Sequence, residues 1–188
     1  MIDRECGQIQ GTTIQDTPLG TIRIWAGASG IKKVSFDDHS PQVTDTSNSA
    51  DNKILREAIE QLERYFSGEL RSFNLPLDLT GRTRFQLRIL EQLRTIPYGQ
   101  LASYKDIAEG LGEPQASRSV GQALKANPIP VILPCHRVIR SDGTLGGYAG
   151  SSLKNIRRKT TLLEIEGAEI PGKAPKDRIQ NEMLFFPL

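Results

Sequence analysis

Residues 133–138 read Leu-Pro-Cys-His-Arg-Val and place the thiol of Cys135 beside the imidazole of His136. Residues 127–132 before them read Asn-Pro-Ile-Pro-Val-Ile, and residues 143–150 after them read Gly-Thr-Leu-Gly-Gly-Tyr-Ala-Gly. Prolines stiffen the approach to the cysteine, whereas glycines let the later loop fold closely over a neighbouring group. The pattern predicts a thiol at the floor of a pocket whose wall can close.

The chemistry of Cys135 has two interpretations. A lone cysteine in an apolar segment is usually a small buried hydrophobe without a chemical role. A reactive cysteine needs a nearby base or cation, because the thiolate is the nucleophile. Consecutive side chains of an extended segment point to opposite faces, so His136 would reach the sulfur only through a water molecule or across a turn. The histidine, the prolines and the glycine-rich loop together favour the reactive interpretation.

Residues 134–138, Pro-Cys-His-Arg-Val, match in full the signature of the O6-alkylguanine-DNA alkyltransferases. The chain resembles this family from about Thr83 to Gly167, and more loosely in its N-terminal segment. Proteins of this family transfer an alkyl group from a damaged DNA base to their own cysteine. The resemblance implies that Cys135 accepts the alkyl group, that His136 draws the thiol proton through a bound water, and that a glutamate orients the histidine.

Two glutamates compete for this orienting role. In the family, the helix after the glycine-rich loop ends in Leu-Leu-x-x-Glu-Gly, and residues 162–167 here read Leu-Leu-Glu-Ile-Glu-Gly. Glu166, directly before the glycine, is the better match to that pattern. Helical phase places Glu164 nearer the stripe that begins at Leu153, so Glu164 stays as the alternative.

The segment before these glutamates departs from the family pattern. Residues 151–161 form a longer stretch than usual and carry four cations, namely Lys154, Arg157, Arg158 and Lys159. Cations close to a loop that covers a DNA-repair site are candidates for phosphate contacts. The alternative is a solvated face of the protein.

Composition narrows the class of protein. The chain of 188 residues is 37% hydrophobic, has no apolar region at its N-terminus and contains no apolar run long enough to span a membrane, so we expect a cytoplasmic protein. Its cysteines and histidines are Cys6, His39, Cys135 and His136, without metal-ligand spacing. The sequence therefore predicts no metal site.

The resemblance implies no cofactor, because the electrophile arrives on the DNA.

Charge is unevenly distributed along the chain. Residues 1–80 contain 8 Lys and Arg against 12 Asp and Glu, whereas residues 81–188 contain 16 against 10. A basic second half is typical of a protein that binds a polyanion such as DNA. Chance imbalance on a solvated surface is the alternative.

The first 80 residues have the pattern of a small α/β domain without a catalytic constellation. Residues 21–25 and 31–36 alternate apolar and polar side chains on either side of a glycine-containing turn, which predicts a β-hairpin. Apolar residues then recur at helical spacing from Ile54 to Phe66. Residues 71–81 read as a short strand or linker. We expect this half of the chain to have a structural role and no catalytic one.

The second half begins with a helical pattern from Phe85 to Ile96. Ser103 then predicts an N-cap for a second helix, with Asp106 at its third position. A glycine break follows, and a third helix runs from about Gln115 to Lys125. The last two helices form a candidate helix-turn-helix.

The outer face of the last helix carries Arg118, Gly121, Gln122 and Lys125, with Ser117 beside them. Small residues let a helix approach DNA closely, whereas a major-groove reader normally carries longer polar side chains aimed at base edges. DNA binding with little sequence content is therefore favoured.

The resemblance assigns further roles around this helix and the thiol. It implies that Arg118 enters the base stack, that Tyr104 assists base rotation, and that Asn127 forms a hinge between the recognition helix and the active-site segment. It also implies that loop amides face O6 of guanine while Tyr148 donates to a ring nitrogen. The expected substrate pocket comprises Pro130, Val138, Gly147, Tyr148 and Ala149.

These patterns predict an α/β N-terminal domain, ribonuclease H-like by resemblance, and a mostly α C-terminal domain with a winged-helix-like helix-turn-helix. The domains are expected at residues 1–80 and 81–168, with a tail at 169–188. The predicted activity is DNA repair by direct reversal. A monomer would transfer one alkyl group from O6-alkylguanine in double-stranded DNA to Cys135, with O4-alkylthymine as an open second substrate.

Two other functions stay open on the sequence. A non-catalytic DNA-lesion recognition module would bind the damaged base without forming a thioether. A thiol hydrolase using Cys135 and His136 would turn over esters or peptides and would not need Arg118.

Overall fold

A computed structural model describes residues 9–36, 52–150 and 152–171. Cys6, His39 and residues 172–188 of the expected tail lie outside the described residues. Within these ranges, none of the helices combines the length and the apolar composition needed to cross a bilayer. The elements in chain order are β1 (Gln10–Thr17), β2 (Gly20–Gly27), β3 (Gly30–Phe36), α1 (Lys53–Phe66), α2 (Arg84–Arg94), β4 (Ala102–Ser103), α3 (Tyr104–Gly110), α4 (Ser117–Lys125), β5 (Val138–Ile139) and α5 (Leu153–Ile165).

The N-terminal domain is an antiparallel sheet in the order β1-β2-β3, with α1 packed against it. The predicted hairpin of β2 and β3 is confirmed. Alternate side chains of a strand point to the same face of the sheet, and the apolar ones here, such as Ile22, Ile24 and Val34, lie on the buried face. Periodicity does not predict β1, whose sequence Gln-Gly-Thr-Thr-Ile-Gln-Asp-Thr is mostly polar. This edge strand forms because β2 supplies a complete ladder, from Gln10 opposite Ala26 to Ile14 opposite Ile22.

Helix α1 is confirmed at the position that its apolar spacing predicts. The side chain of Asn52 accepts hydrogen bonds from the backbone N–H groups of Ile54 and Leu55, at 3.0 and 3.2 Å, and so caps the helix. Its buried side consists of Leu55, Ala58, Leu62 and Tyr65. Tyr65 lies in the last turn, at the end of α1 that meets the C-terminal domain.

Residues 71–81 extend the sheet instead of forming a free linker. The backbone N–H of Ile31 donates to the carbonyl of Pro76 at 2.8 Å, and the N–H of Asp78 donates to the carbonyl of Ile31 at 2.8 Å. The segment therefore pairs with the outer edge of β3. Gly30 permits this approach, because a Cβ there would lie 2.4 Å from the Pro76 carbonyl oxygen.

The C-terminal domain contains the predicted helix-turn-helix. Ser103 and Asp106 form a capping box, in which the Asp106 N–H donates to Ser103 Oγ at 3.0 Å and the Ser103 N–H donates to Asp106 Oδ2 at 2.7 Å. The second helix of the motif begins at Ser117, slightly later than expected. The two helices bury Ile107, Ala108, Val120, Ala123 and Leu124 between themselves and the rest of the core.

A two-residue parallel pairing connects this motif to the segment after the thiol. Ala102 lies opposite Val138, and Ser103 lies opposite Ile139. A ladder this short leaves no periodic signal in the sequence. It fixes the start of α3 next to the chain that leaves Cys135.

Helix α5 packs differently from the sequence expectation. Leu153, the start of the expected apolar stripe, is 77% exposed, whereas Arg158 and Lys159 are buried with Leu162 and Leu163. The expected stripe is therefore wrong at Leu153 but correct at Leu163, and the helix also turns two long basic side chains inward. Their aliphatic stems pack in the interior while their charged ends find carbonyl acceptors.

The two domains contact each other at Pro128, in the segment that leads to Cys135, and at Arg158 of α5. The Val34 N–H in β3 donates to the carbonyl of Pro128 at 2.8 Å. Arg158 donates to the carbonyl of Leu19 at 3.0 Å and lies over the ring of Phe36, 4.7 Å from its centroid. The N-terminal sheet therefore supports the active-site segment as well as its own core.

We expect Gly30→Ala to lower the free energy of unfolding by about 3 kcal/mol, because the new Cβ would strain a positive φ and collide with rigid backbone. Urea denaturation measures this loss. Gly68→Ala is the matched control: Gly68 also has a positive φ, but a Cβ there meets no atom within 4 Å. Its loss should stay near 1–2 kcal/mol. Equal losses would contradict the close-approach argument.

Candidate active site

Cys135 begins a single 3-10 turn, Cys135–Arg137, and its side chain is only 6% exposed. The amide nitrogen of Asn127 donates to the sulfur at 3.1 Å and to the carbonyl of Leu133 at 2.9 Å. The amide oxygen of Asn127 accepts from the Ile129 N–H at 3.0 Å. Asn127, two residues after the end of α4, therefore bonds to the proline-rich segment and to the thiol.

The backbone around the thiol is turned and not extended. The side-chain geometry of an extended segment, which would separate Cys135 from His136 onto opposite faces, does not apply to a 3-10 turn. Upstream, Val131 is buried with a φ of 74°, a conformation that a β-branched residue rarely adopts. Such strain persists only where surrounding packing enforces it, and it is often found at functional sites.

Burial sets the protonation state of the thiol. Removal from water raises the pKa of Cys135, while the Asn127 hydrogen bond and the charge of Lys159 oppose that rise. The net direction is upward, so the resting sulfur is a thiol at neutral pH. A base must therefore take its proton before it can act as a nucleophile.

His136 is fully buried and held by Glu166. Its Nε2 atom lies 2.9 Å from Oε1 of Glu166. A carboxylate only accepts hydrogen bonds, so Nε2 carries the hydrogen and Nδ1 is left as the basic nitrogen. Nδ1 is buried and has no hydrogen-bond partner within the described part of the chain. Burial lowers the pKa of His136, although Glu166 opposes this, so the ring is neutral at pH 7 and able to accept a proton.

Glu166 receives hydrogen bonds from several parts of the chain. Its Oε1 accepts from Tyr65 at 2.7 Å and from Arg137 Nη2 at 2.8 Å, and its Oε2 accepts from Arg137 Nε at 2.9 Å and the Gly99 N–H at 3.1 Å. Burial alone would raise the pKa of Glu166, but the hydrogen bonds from His136 and Arg137 outweigh it and lower the pKa to about 2. The carboxylate is therefore ionised throughout the neutral range.

Lys159 is a buried cation close to the thiol. Its ammonium group donates to the backbone carbonyls of Val138 and Leu145, so it ties the segment after Cys135 to the glycine-rich loop. Burial lowers the pKa of Lys159 to about 8, which leaves it mostly protonated at neutral pH. The expectation that it contacts phosphates is wrong, because its side chain is not exposed. Arg158 is likewise buried, so these two of the four cations in that segment face inward.

A cavity of about 180 Å³ opens beside the sulfur. A cavity of roughly 150 Å³ is known to hold a benzene ring, so this one is on the scale of a single aromatic ring system. Of the residues expected to form the substrate pocket, Gly147, Tyr148 and Ala149 line the cavity, whereas Val138 and Pro130 are buried outside its lining. The full lining is Tyr104, Gly121, Leu124, Lys125, Cys135, Gly147, Tyr148, Ala149 and Gly150.

Family models match two stretches of the chain. Residues 11–79 match the ribonuclease-like domain of 6-O-methylguanine DNA methyltransferase, and residues 84–168 match the DNA binding domain of the same enzyme. A methylated-DNA--protein-cysteine methyltransferase of Mycobacterium leprae is 41% identical over 155 residues, covering 82% of this chain and 91% of the relative. The chain belongs to the 6-O-methylguanine DNA methyltransferase family. The resemblance seen in residues 134–138 is thereby confirmed.

Other relatives agree with this assignment. A methylated-DNA--protein-cysteine methyltransferase of Methanosarcina barkeri is 44% identical over 154 residues, covering 81% of this chain and 94% of the relative. The crystal structure of the Mycobacterium tuberculosis O6-methylguanine methyltransferase is 38% identical, with a TM-score of 0.72, over 88% of this chain and 97% of that one. The M. tuberculosis OGT in complex with DNA is 37% identical, with a TM-score of 0.69, over 83% and 92%.

In this family member, the residues expected to contact DNA lie on or beside α4. Arg118, Gln122 and Lys125 are exposed and follow one another at i, i+4 and i+7, so they share one face of the helix. Ser117 is half-buried at the first position of α4. Gly121 lies on the same helix beside the ring of Tyr104, because a Cβ at this position would lie 3.8 Å from that ring. Both Gly121 and Lys125 reach the cavity, so the exposed face of α4 adjoins its mouth.

Sequence reasoning did not assign four members of the site to it, namely Tyr65, Gly99, Arg137 and Lys159. Tyr65 was indistinguishable from the other apolar positions of α1, and Gly99 looked only like a helix stop. Lys159 looked like a surface cation because the helical phase of its segment was ambiguous. Arg137 lies within the signature of residues 134–138, and this position next to Cys135 and His136 was the one signal that could have identified it.

We expect Glu166→Gln to lower the free energy of unfolding at pH 7 by about 3 kcal/mol, because it leaves the buried Arg137 without its counter-charge. The pKa of Glu166 is lowered from 4.5 to about 2 on folding, so its stabilisation is complete above pH 4.5 and disappears as pH falls toward 2. Urea denaturation between pH 7 and pH 2.5 should therefore show the wild type converging on the variant.

Glu164→Gln is the matched control for this measurement, because Glu164 is the alternative partner on sequence grounds. We expect it to cost less than about 1 kcal/mol, since Glu164 is only partly buried. A larger loss from Glu164→Gln than from Glu166→Gln would reverse the assignment.

Proposed function

We propose that this protein repairs DNA by direct reversal, transferring one alkyl group from O6-alkylguanine to its own Cys135. The observation that supports the proposal is that Cys135 lines a cavity of about 180 Å³ and precedes His136 of the buried His136–Glu166 pair in the chain. Relatives at about 40% identity are named methylated-DNA--protein-cysteine methyltransferases, which supports the same chemistry here.

The reaction is a nucleophilic substitution at the alkyl carbon. The sulfur of Cys135 forms a bond to that carbon, the bond between the carbon and O6 breaks, and its electron pair returns to the guanine. The thiol proton passes to Nδ1 of His136 through a water molecule, and a proton from solvent or the site neutralises the guanine. The thioether formed at Cys135 is not converted back to a thiol, so each molecule acts once.

The hydrogen-bond network prepares His136 to accept that proton. Glu166 is ionised and accepts the Nε2 hydrogen, which favours the tautomer with Nδ1 as the base. When the ring becomes an imidazolium, the same carboxylate stabilises the new charge. Asn127 donates to the sulfur and thereby stabilises the thiolate as it forms.

The cavity has suitable groups for a guanine ring. Tyr148 is buried, and its hydroxyl group has no hydrogen-bond partner among the described residues, so it is available to donate to a ring nitrogen. Burial raises the pKa of Tyr148 well above its usual value, which keeps the phenol protonated as a donor. Gly147 and Ala149 line the same cavity, so their backbone amides are the proposed donors to O6.

DNA reaches this cavity across α4. A base within a duplex cannot contact a buried thiol, so the alkylated nucleotide must rotate out of the stack. Gly121 permits close approach of the helix, Arg118 fills the space left by the base, and Tyr104 at the mouth of the cavity guides the rotation. Double-stranded DNA containing O6-alkylguanine is the proposed partner, and a monomer is sufficient because the described chain provides all these groups.

The first prediction concerns stoichiometry. Exposure to duplex DNA containing O6-methylguanine should add one methyl group per chain, located on Cys135 and not on Cys6. Intact-mass measurement followed by peptide mapping tests this. Cys135→Ala should add none, and Cys6→Ala should react as the wild type does. Continued turnover without loss of active protein, or binding of damaged DNA without any mass change, would refute single-turnover transfer.

A second prediction separates base rotation from chemistry. Arg118→Ala should slow repair of duplex DNA by about ten-fold or more, because only the duplex requires extrusion of the base. The reaction with free O6-benzylguanine should keep its wild-type rate. Arg94→Ala, which removes another exposed arginine of the same domain, is the control and should change neither rate appreciably. Equal slowing of both substrates by Arg118→Ala would reject the intercalating role.

A further inference from the structure

The N-terminal domain places one polar group inside the active site. Tyr65, in the last turn of α1, is fully buried, and its hydroxyl group donates to Oε1 of Glu166 at 2.7 Å. The same hydroxyl oxygen lies 3.4 Å from Nε2 of His136. Residue 65 precedes the helix-turn-helix, the thiol and the glycine-rich loop in sequence, so the contact is wholly a product of domain packing.

We propose that Tyr65 is a positioning residue for alkyl transfer, which fixes the Glu166 carboxylate and the tautomer of His136 so that Nδ1 remains the basic nitrogen. This role rests on the proposed transfer to Cys135. Tyr65 touches neither the sulfur nor the cavity that would hold the base, and it acts through the other two residues.

The hydrogen-bond inventory supports this role. A phenol has one hydrogen to donate and lone pairs to accept with, and the hydrogen of Tyr65 is directed at Glu166. The lone pairs of its oxygen therefore face the Nε2 position of His136 together with the carboxylate. A hydrogen on Nε2 is attracted by two acceptors, the Glu166 carboxylate oxygen and the Tyr65 hydroxyl oxygen. In the other tautomer, the lone pair of Nε2 would be repelled by the same two oxygens. The arrangement consequently disfavours the tautomer that would block Nδ1.

Packing holds the phenol in this orientation. The ring of Tyr65 lies among those of Phe66, Phe73 and Tyr98, with centroid distances of 5.6, 5.1 and 6.1 Å. Burial and the neighbouring Glu166 charge raise the pKa of Tyr65 well above its usual value, so the group stays a neutral donor. A rigid ring with a single polar atom can position a partner with little loss of conformational entropy.

The experiment compares Tyr65→Phe with Tyr98→Phe. Both changes remove one buried or partly buried hydroxyl from the same aromatic cluster, but Tyr98 donates to the backbone carbonyl of Ile165 at 2.9 Å and not to the carboxylate. Tyr65→Phe should slow the single-turnover rate by about ten-fold, the value expected for one hydrogen bond to a charged group. The reduction should be equal for methylated duplex and for free O6-benzylguanine, with DNA affinity unchanged. Tyr98→Phe should stay within about two-fold of wild type.

A second measurement needs no substrate. The chain has only two histidines, so the ¹⁵N signals of His136 can be assigned by comparison with a His39→Gln variant. Wild type and Tyr98→Phe should show the single tautomer with hydrogen on Nε2, and Tyr65→Phe should show a mixture. A role limited to packing would lower stability without moving these signals.

The outcomes are distinguishable. If the wild type takes up no alkyl group, the proposed function itself fails. If the wild type reacts but Tyr65→Phe matches Tyr98→Phe in rate and in ¹⁵N signature, the positioning role is overturned. Slowing of the duplex reaction alone would also overturn it, because that result would place Tyr65 in DNA handling.

Discussion

The buried carboxylate of Glu166 is the interaction on which the remaining structure depends. It receives hydrogen bonds from α1, from the turn after α2 and from two residues of the thiol-bearing turn. A buried charge is costly unless it is paired and hydrogen-bonded, and here the donors come from three separate parts of the fold. The carboxylate is therefore stable only when these segments are assembled in one arrangement, which also positions His136.

The site at rest combines a neutral thiol, a neutral imidazole and an ionised carboxylate. The pKa of Cys135 is raised by burial, that of His136 is lowered by burial, and that of Glu166 is lowered by its donors. A buried protonated thiol is a poor target for solvent-borne electrophiles. In the proposed mechanism, the sulfur becomes nucleophilic only when Nδ1 of His136 takes its proton, which suits a residue that can be used once.

The N-terminal domain takes part in this arrangement as well as supporting it. The edge of β3 bonds to Pro128, next to the Asn127 that contacts the sulfur, and α1 delivers Tyr65 to the carboxylate. Phe36, at the end of β3, packs against Tyr148 of the cavity wall with ring centroids 5.8 Å apart. The N-terminal domain therefore supports one wall of the cavity through Phe36.

Elements with strong local signals could be predicted from the amino-acid sequence. The hairpin, α1 and the capped helix α3 follow from alternation, helical spacing and the Ser103–Asp106 pair, and residues 134–138 identified the family and its chemistry. The boundary at residue 80 and the individual site roles stay predictions. Only the tertiary structure decided that β1 is a strand, that α5 buries Lys159, and that Glu166 rather than Glu164 meets His136. The reason is physical: these outcomes depend on partners distant in sequence. A polar edge strand needs its neighbour's ladder, a buried cation needs carbonyls of other segments, and Tyr65 enters the site only because the two domains pack together.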